Sequence, residues 1–115
     1  MPETSLAIRI FTSEVAGQQK MFAFVNATND PHAHEAWCKV NLDLTEGLGL
    51  TVKASSGVVA FAERFDTFEF GESEVYLHYE GDPGDLTLSA NNNSDLNLLV
   101  QKLETLGGYV VTHVP

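Results

Sequence analysis

The sequence predicts an α+β fold: a mostly antiparallel β-sheet of six to eight strands, one C-terminal helix packed across it, and a final strand. Three observations lead there. Apolar and polar residues alternate with a period of two in several segments, most securely over Trp37–Leu44 and again over Glu74–Glu80. Clusters of Gly, Pro, Asn and Asp interrupt these segments at short intervals. After Asn91-Asn92-Asn93 the apolar period lengthens to that of a helix. No strand–helix–strand alternation appears, which argues against a doubly wound nucleotide-binding fold. A β-sandwich with the helix at its edge is the alternative architecture. At 115 residues the chain has the size of one domain, 1–115.

In chain order, Leu6, Ile8 and Ile10 alternate with Ala7 and Arg9 and predict a strand. Ala16-Gly17-Gln18-Gln19 suits a hairpin loop, and Lys20–Asn26, with Phe22 and Phe24 on one face, a second strand. Asn29-Asp30-Pro31 signals a turn. Trp37–Leu44 alternates cleanly, with Cys38, Val40, Leu42 and Leu44 on one side and Lys39, Asn41 and Asp43 on the other; a half-buried strand is expected. Leu48, Leu50 and Val52 suggest a further short strand, and Ser55-Ser56-Gly57 a turn after it.

Val58–Ala62 is apolar on both faces; a short helix continuing through Glu63 and Arg64 is the alternative, but the β-branched pair and flanking glycine favour a strand. Thr67–Phe70 sets Phe68 and Phe70 together, opposite Glu69. Over Glu74–Glu80, Val75, Leu77 and Tyr79 oppose Glu74, Tyr76, His78 and Glu80. Gly81-Asp82-Pro83-Gly84 then turns the chain into a strand carrying Leu86 and Leu88, so residues 74–90 should form a hairpin. Ser94 is the expected N-cap of a helix over about 94–106, with Asp95 in its first turn. Leu96, Leu99, Val100, Leu103 and Leu106 form its apolar stripe. Gly107-Gly108 ends the helix, and Tyr109–Val114 reads as the last strand, central or at an edge.

Charge restricts function more than any motif does. Lys and Arg number 6 and Asp and Glu 16, a formal net charge of 6 − 16 = −10. Half of the acids lie between Glu63 and Asp85, where Arg64 is the one base. Such a surface repels nucleic acid and anionic membrane and attracts basic protein patches. The 43% hydrophobic content suffices for a folded core. Cys38 is the single cysteine, so no intrachain disulfide forms; its place in the 37–44 alternation suggests a small core residue. Met1-Pro2-Glu3-Thr4-Ser5 has no basic segment, and no apolar run approaches a membrane span, so neither signal peptide nor transmembrane helix is expected. A reducing, cytoplasmic setting follows from these features.

Few constellations suggest chemistry. Asp30-Pro31-His32-Ala33-His34-Glu35 offers His32 and His34 as candidate metal ligands, with a carboxylate beside them. The plainer reading is a polar loop. Paired carboxylates occur by chance among so many acids, and the strongest candidates lie on solvated strand faces. There is no Gly-x-Ser-x-Gly elbow and no phosphate-binding glycine loop before a helix. The reading is non-enzymatic, with no cofactor. The acidic stretch is more telling, because acids alternate there with Phe65, Phe68, Phe70, Tyr76 and Tyr79. A wet strand face of Glu74, Tyr76, His78 and Glu80 has the composition of an interface, in which Tyr76 anchors and carboxylates steer a cationic partner. Glu63, Asp66, Glu69 and Glu72 extend that candidate partner-binding set. The alternative is a surface that guards solubility.

In size, charge and texture over the whole chain, the sequence resembles the immunity proteins of bacterial toxin–immunity pairs. Phage-encoded inhibitors of host nucleases share the profile. The resemblance implies an inhibitor that occludes the active site of a basic toxin, a nuclease among the options. A small metal-binding domain or metal-dependent enzyme using His32 and His34 is the competing expectation, and a homodimer or subunit of a larger assembly the third.

Overall fold

The computed structural model describes residues 6–26, 33–58, 63–80 and 84–114. Within them a single mixed sheet of seven strands runs in the order β3-β4-β5-β6-β2-β1-β7. The first hairpin joins β1 (Leu6–Val15) to β2 (Gln18–Val25). Its turn is only Ala16-Gly17, with φ of 52° and 78°. Positive φ at both positions is the type I′ geometry that matches strand twist, and it lets Gln18 and Gln19 pair with Val15 and Glu14. The strands therefore extend into what the sequence suggested was loop.

The expected strand at Trp37–Leu44 is instead helical. Helix α1 (Ala33–Leu42) continues into a π-helical turn, Asp43–Gly47. Its buried residues are Ala33, Ala36, Val40 and Leu44, at helical spacings of three and four. Cys38 and Leu42, which the alternation had placed in the core, are exposed. The run from 37 to 44 is short enough to satisfy either period. The small residues Ala33 and Ala36 settle the choice, because they favour helix and let it lie close on the sheet. Glu35 near its start and Lys39 near its end complement the helix dipole. The asparagine–aspartate–proline turn at 29–31 lies outside the described residues.

Leu48 and Leu50 do not form a strand; they pack against the core from the connection that follows the π turn. Strand β3 (Val52–Val58) passes straight through Ser55-Ser56-Gly57, where a turn was expected. It lies at the sheet edge and pairs with β4 (Glu63–Phe70), with a register shift between Val52 and Ala54. An edge strand tolerates small polar residues and irregular pairing because only one side must match a neighbour. The rest of the apolar segment 58–62 lies outside the described residues. Strands β4, β5 (Ser73–Glu80) and β6 (Asp85–Ala90) then form an antiparallel meander. The predicted 74–90 hairpin is the β5–β6 pair.

Helix α2 (Asn93–Leu106) begins one residue earlier than expected. Its cap is Asn92, not Ser94: Asn92 Oδ1 accepts from the Asp95 backbone N–H at 2.8 Å, and its Nδ2 donates to Asp95 Oδ2 at 2.8 Å. This reciprocal pair satisfies an otherwise orphaned amide. Leu96, Leu99, Val100 and Leu103 are buried as the stripe predicts, whereas Leu106 stays 43% exposed. Gly107 and Gly108, at φ of 91° and 88°, lead into β7 (Tyr109–His113), which pairs parallel to β1 at the other sheet edge.

Buried residues from both helices and from β1, β2, β4, β5, β6 and β7 form one hydrophobic cluster. Both helices therefore cover the same sheet face, and the predicted single helix has a companion in α1. Tyr109 closes one end of this layer. Its hydroxyl donates to Asp43 Oδ2 at 2.5 Å, and Lys39 both pairs with that carboxylate at 2.9 Å and lies over the tyrosine ring at 4.8 Å.

Two outcomes test this arrangement. Cys38 should react with a thiol reagent in the native protein at nearly the rate seen in denaturant; strong protection would restore the buried strand. Burial and the Asp43 carboxylate raise the Tyr109 pKa well above its usual 10. A raised folded pKa means stability that is complete below pH 10 and lost as pH climbs above it. Tyr109→Phe should reduce that alkaline loss, and should cost about 1.5–3 kcal/mol at neutral pH in urea denaturation.

Candidate protein-binding face

The second face of the sheet carries neither helix. Period two dictates what it displays: wherever Val75, Leu77 and Tyr79 point into the core, Glu74, Tyr76, His78 and Glu80 point away. Register then sets their neighbours. Phe65, His78, Thr87 and Phe24 stand in one row across β4, β5, β6 and β2. Thr67, Tyr76 and Ser89 form the next row. The Phe65 ring lies 5.5 Å from His78 and 5.8 Å from Tyr76. On β1 and β2, Phe11 meets Phe24 edge-on at 5.4 Å. Arg9 lies over Phe11 at 5.6 Å and Lys20 over Phe22 at 5.5 Å. Rings thus stand on both sides of the central strand β6 on a sheet face that neither helix covers, and Phe65 is 42% exposed.

Carboxylates frame the β4–β5 half. Glu63 is opposite Glu80, and Glu69 opposite Glu74. Glu72 is exposed in the two-residue turn between these strands. Glu74 is held: Lys53 Nζ pairs with one of its oxygens, and the Tyr76 hydroxyl lies 3.0 Å from the other. The lysine hydrogen bond, with help from Tyr76, lowers the Glu74 pKa, and Lys53 is raised in return. Asn91 Oδ1 stands 2.9 Å from the Tyr76 hydroxyl. Partial burial and the adjacent carboxylate raise the Tyr76 pKa, so it faces solvent as a neutral phenol.

Asp66 departs from the expected set. It is buried, 1% exposed, on the helix side of β4. Trp37 Nε1 donates to its Oδ2 at 3.1 Å, Ser55 Oγ to Oδ1 at 2.6 Å, and Arg64 Nη2 approaches Oδ1 at 3.3 Å. The Arg64 guanidinium also lies 4.7 Å from the Trp37 ring centroid. One carboxylate therefore ties α1 to β3 and β4 and takes no place on the open face. The signal was in the sequence, since Asp66 shares the parity of Phe68 and Phe70. The remaining residues of the expected set, Glu63, Glu69, Glu72, Glu74, Tyr76, His78 and Glu80, lie on the open face or its rim. Sequence reasoning missed the contribution of Arg9, Phe11, Lys20, Phe22 and Phe24, which strand order alone brings alongside.

Only one member of the candidate metal pair lies within the described residues. His32 lies outside the described residues. His34 is exposed on α1, with ring contacts to Trp37 and Tyr79 at 5.9 Å each and Cys38 Sγ at 3.9 Å. Among the described residues, the group of three side chains spaced to hold a metal ion is Glu63, His78 and Glu80. No described helix is long and apolar enough to cross a membrane. Comparison with protein-family models, with curated proteins and with solved structures finds no match to this chain.

The Asp66 tie makes a direct prediction. Asp66→Ala strands the indole and serine donors and should lower stability by about 2–3 kcal/mol in urea denaturation, with altered Trp37 fluorescence in the native state. A loss under 0.5 kcal/mol, within the ordinary range for surface changes, would show that solvent already satisfies these donors.

Proposed function

We propose that this chain is a non-enzymatic inhibitor that binds a basic protein domain through the open sheet face and occludes that partner's active site. An immunity protein of a toxin–immunity pair is the class that fits this reading, acting in a reducing cytoplasm on a toxin such as a nuclease. One observation carries it: a sheet face that neither helix covers sets the exposed Phe65 beside Tyr76 on β4 and β5, with carboxylates around that half. Rings supply buried area at low entropic cost, and the carboxylates favour encounter with Lys- and Arg-rich surfaces. Phe65 and Tyr76 are the anchors; Glu63, Glu69, Glu72 and Glu80 are the steering charges, with Glu74 fixing Tyr76 from beside it.

A second reading draws on the other half of the face. Arg9 and Lys20 make it cationic, so a second copy turned about an axis along the central strand β6 would set bases against acids. Light scattering distinguishes a homodimer from a monomer that awaits a different protein.

The test begins with capture of a partner from the native host at low salt and its release at high salt. Association of that purified partner is then followed by stopped flow. Charge reversal at Glu69 and Glu72, both exposed, should slow association by roughly tenfold or more and flatten its salt dependence. Phe65→Ala should instead speed dissociation, costing about 2 kcal/mol of affinity. Unchanged rates in both variants would place the interface elsewhere.

A further inference from the structure

One end of the open face gathers a histidine and carboxylates from adjacent strands. Glu63 begins β4 and stands directly opposite Glu80 at the end of β5. Asp85 begins β6 and stands directly opposite Glu80 on its other side. Carboxylates thus occupy matching positions on adjacent strands, where directly opposed like charges destabilise a sheet. His78 projects from the same face two residues before Glu80. Its Nε2 lies 3.3 Å from Glu63 Oε2 and its Nδ1 lies 3.7 Å from Glu80 Oε1.

A neutral imidazole carries one N–H and one lone pair. Whichever nitrogen of His78 holds the proton, the other turns its lone pair toward a carboxylate oxygen. The arrangement is completed by added positive charge between these groups. One ligand atom from each of Glu63, His78 and Glu80 lies within 4.8 Å of the others. In a tetrahedral zinc shell, ligands at about 2.0–2.2 Å are about 3.3–3.6 Å apart, so rotation of these side chains by roughly an ångström brings them to a common ion. Their side chains are between 31% and 43% exposed, which leaves both that freedom and a path from solvent.

We propose that Glu63, His78 and Glu80 bind a divalent transition-metal ion of the zinc type. One imidazole nitrogen with carboxylate oxygens suits zinc, whereas magnesium and calcium take all-oxygen shells. Paired strands fix the three backbone positions, and three protein ligands leave a coordination position open to water or to a ligand from outside. The site is distinct from the His32/His34 pair and does not depend on the inhibitor reading, because it is measured on the chain alone.

The test is calorimetric titration of zinc chloride into the full chain after chelator treatment, at pH 7.4, with magnesium chloride as the control. Wild type should bind zinc at one site and give no magnesium heat. His78→Ala, and separately Glu63→Gln with Glu80→Gln, should weaken zinc binding at least tenfold while keeping the wild-type circular dichroism spectrum and a cooperative melt. His34→Ala should bind as wild type does. Paramagnetic cobalt should broaden the His78 ring resonances before those of His34. Absence of zinc binding by wild type would overturn the proposal. Unchanged affinity in the His78 variant, or its loss in the His34 variant, would overturn it as well.

Discussion

Burial of one sheet face beneath two helices is the interaction on which the rest of this molecule depends. The leucine stripe of α2 and the small apolar stripe of α1 press on the same side of β1, β2, β4, β5 and β6, and their buried residues merge into one cluster. Removing such side chains from water is the main stabilising force, worth about 1.5–3 kcal/mol for each fully buried Leu or Val. Because strands alternate, the same burial dictates the composition of the opposite face. Every core residue on β5 commits its neighbour to the uncovered side. The rings and carboxylates of the candidate interface are therefore positioned by the core, without contacts of their own being needed to place them.

Acidic residues divide into those that build the fold and those that decorate it. Asp66 joins α1 to two strands through Trp37 and Ser55. Asp43 receives the Tyr109 hydroxyl and Lys39, locking the π turn to the final strand, and Asp95 completes the α2 cap. These three carboxylates accept hydrogen bonds that compensate for lost water. On the open face, Glu69 and Glu72 are exposed to solvent, ions or partners. An overall excess of acid thus conceals two different roles, which composition cannot separate.

The sheet face that neither helix covers also explains why several functional readings share one surface. Phe65, His78 and Tyr76 stand beside each other because β4 and β5 pair in register. The β1–β2 hairpin adds more phenylalanines and two cations because β2 pairs with β6. The anchor rings, the acidic rim and the Glu63–His78–Glu80 cluster are consequences of the same strand order. Shape and charge, not a catalytic motif, carry the functional proposal.

By itself the sequence determined the α+β class, the β5–β6 hairpin with its wet and dry faces, the leucine stripe of α2 and the strong acidity. Each is a local property: a period, a turn signal or a sum of charges over consecutive residues. It did not determine whether Trp37–Leu44 would be strand or helix, since that short run satisfies both periods and only docking of Ala33, Ala36 and Val40 on the sheet decides. For Asp66 the parity with Phe68 and Phe70 marked the core side, but a carboxylate is stable there only because Trp37, from a distant element, supplies a donor. Strand order, the bare face it creates and the meeting of Glu63 with His78 and Glu80 belong to the tertiary structure alone. They arise from pairings between segments far apart in the chain, and no local pattern encodes which strands will be neighbours.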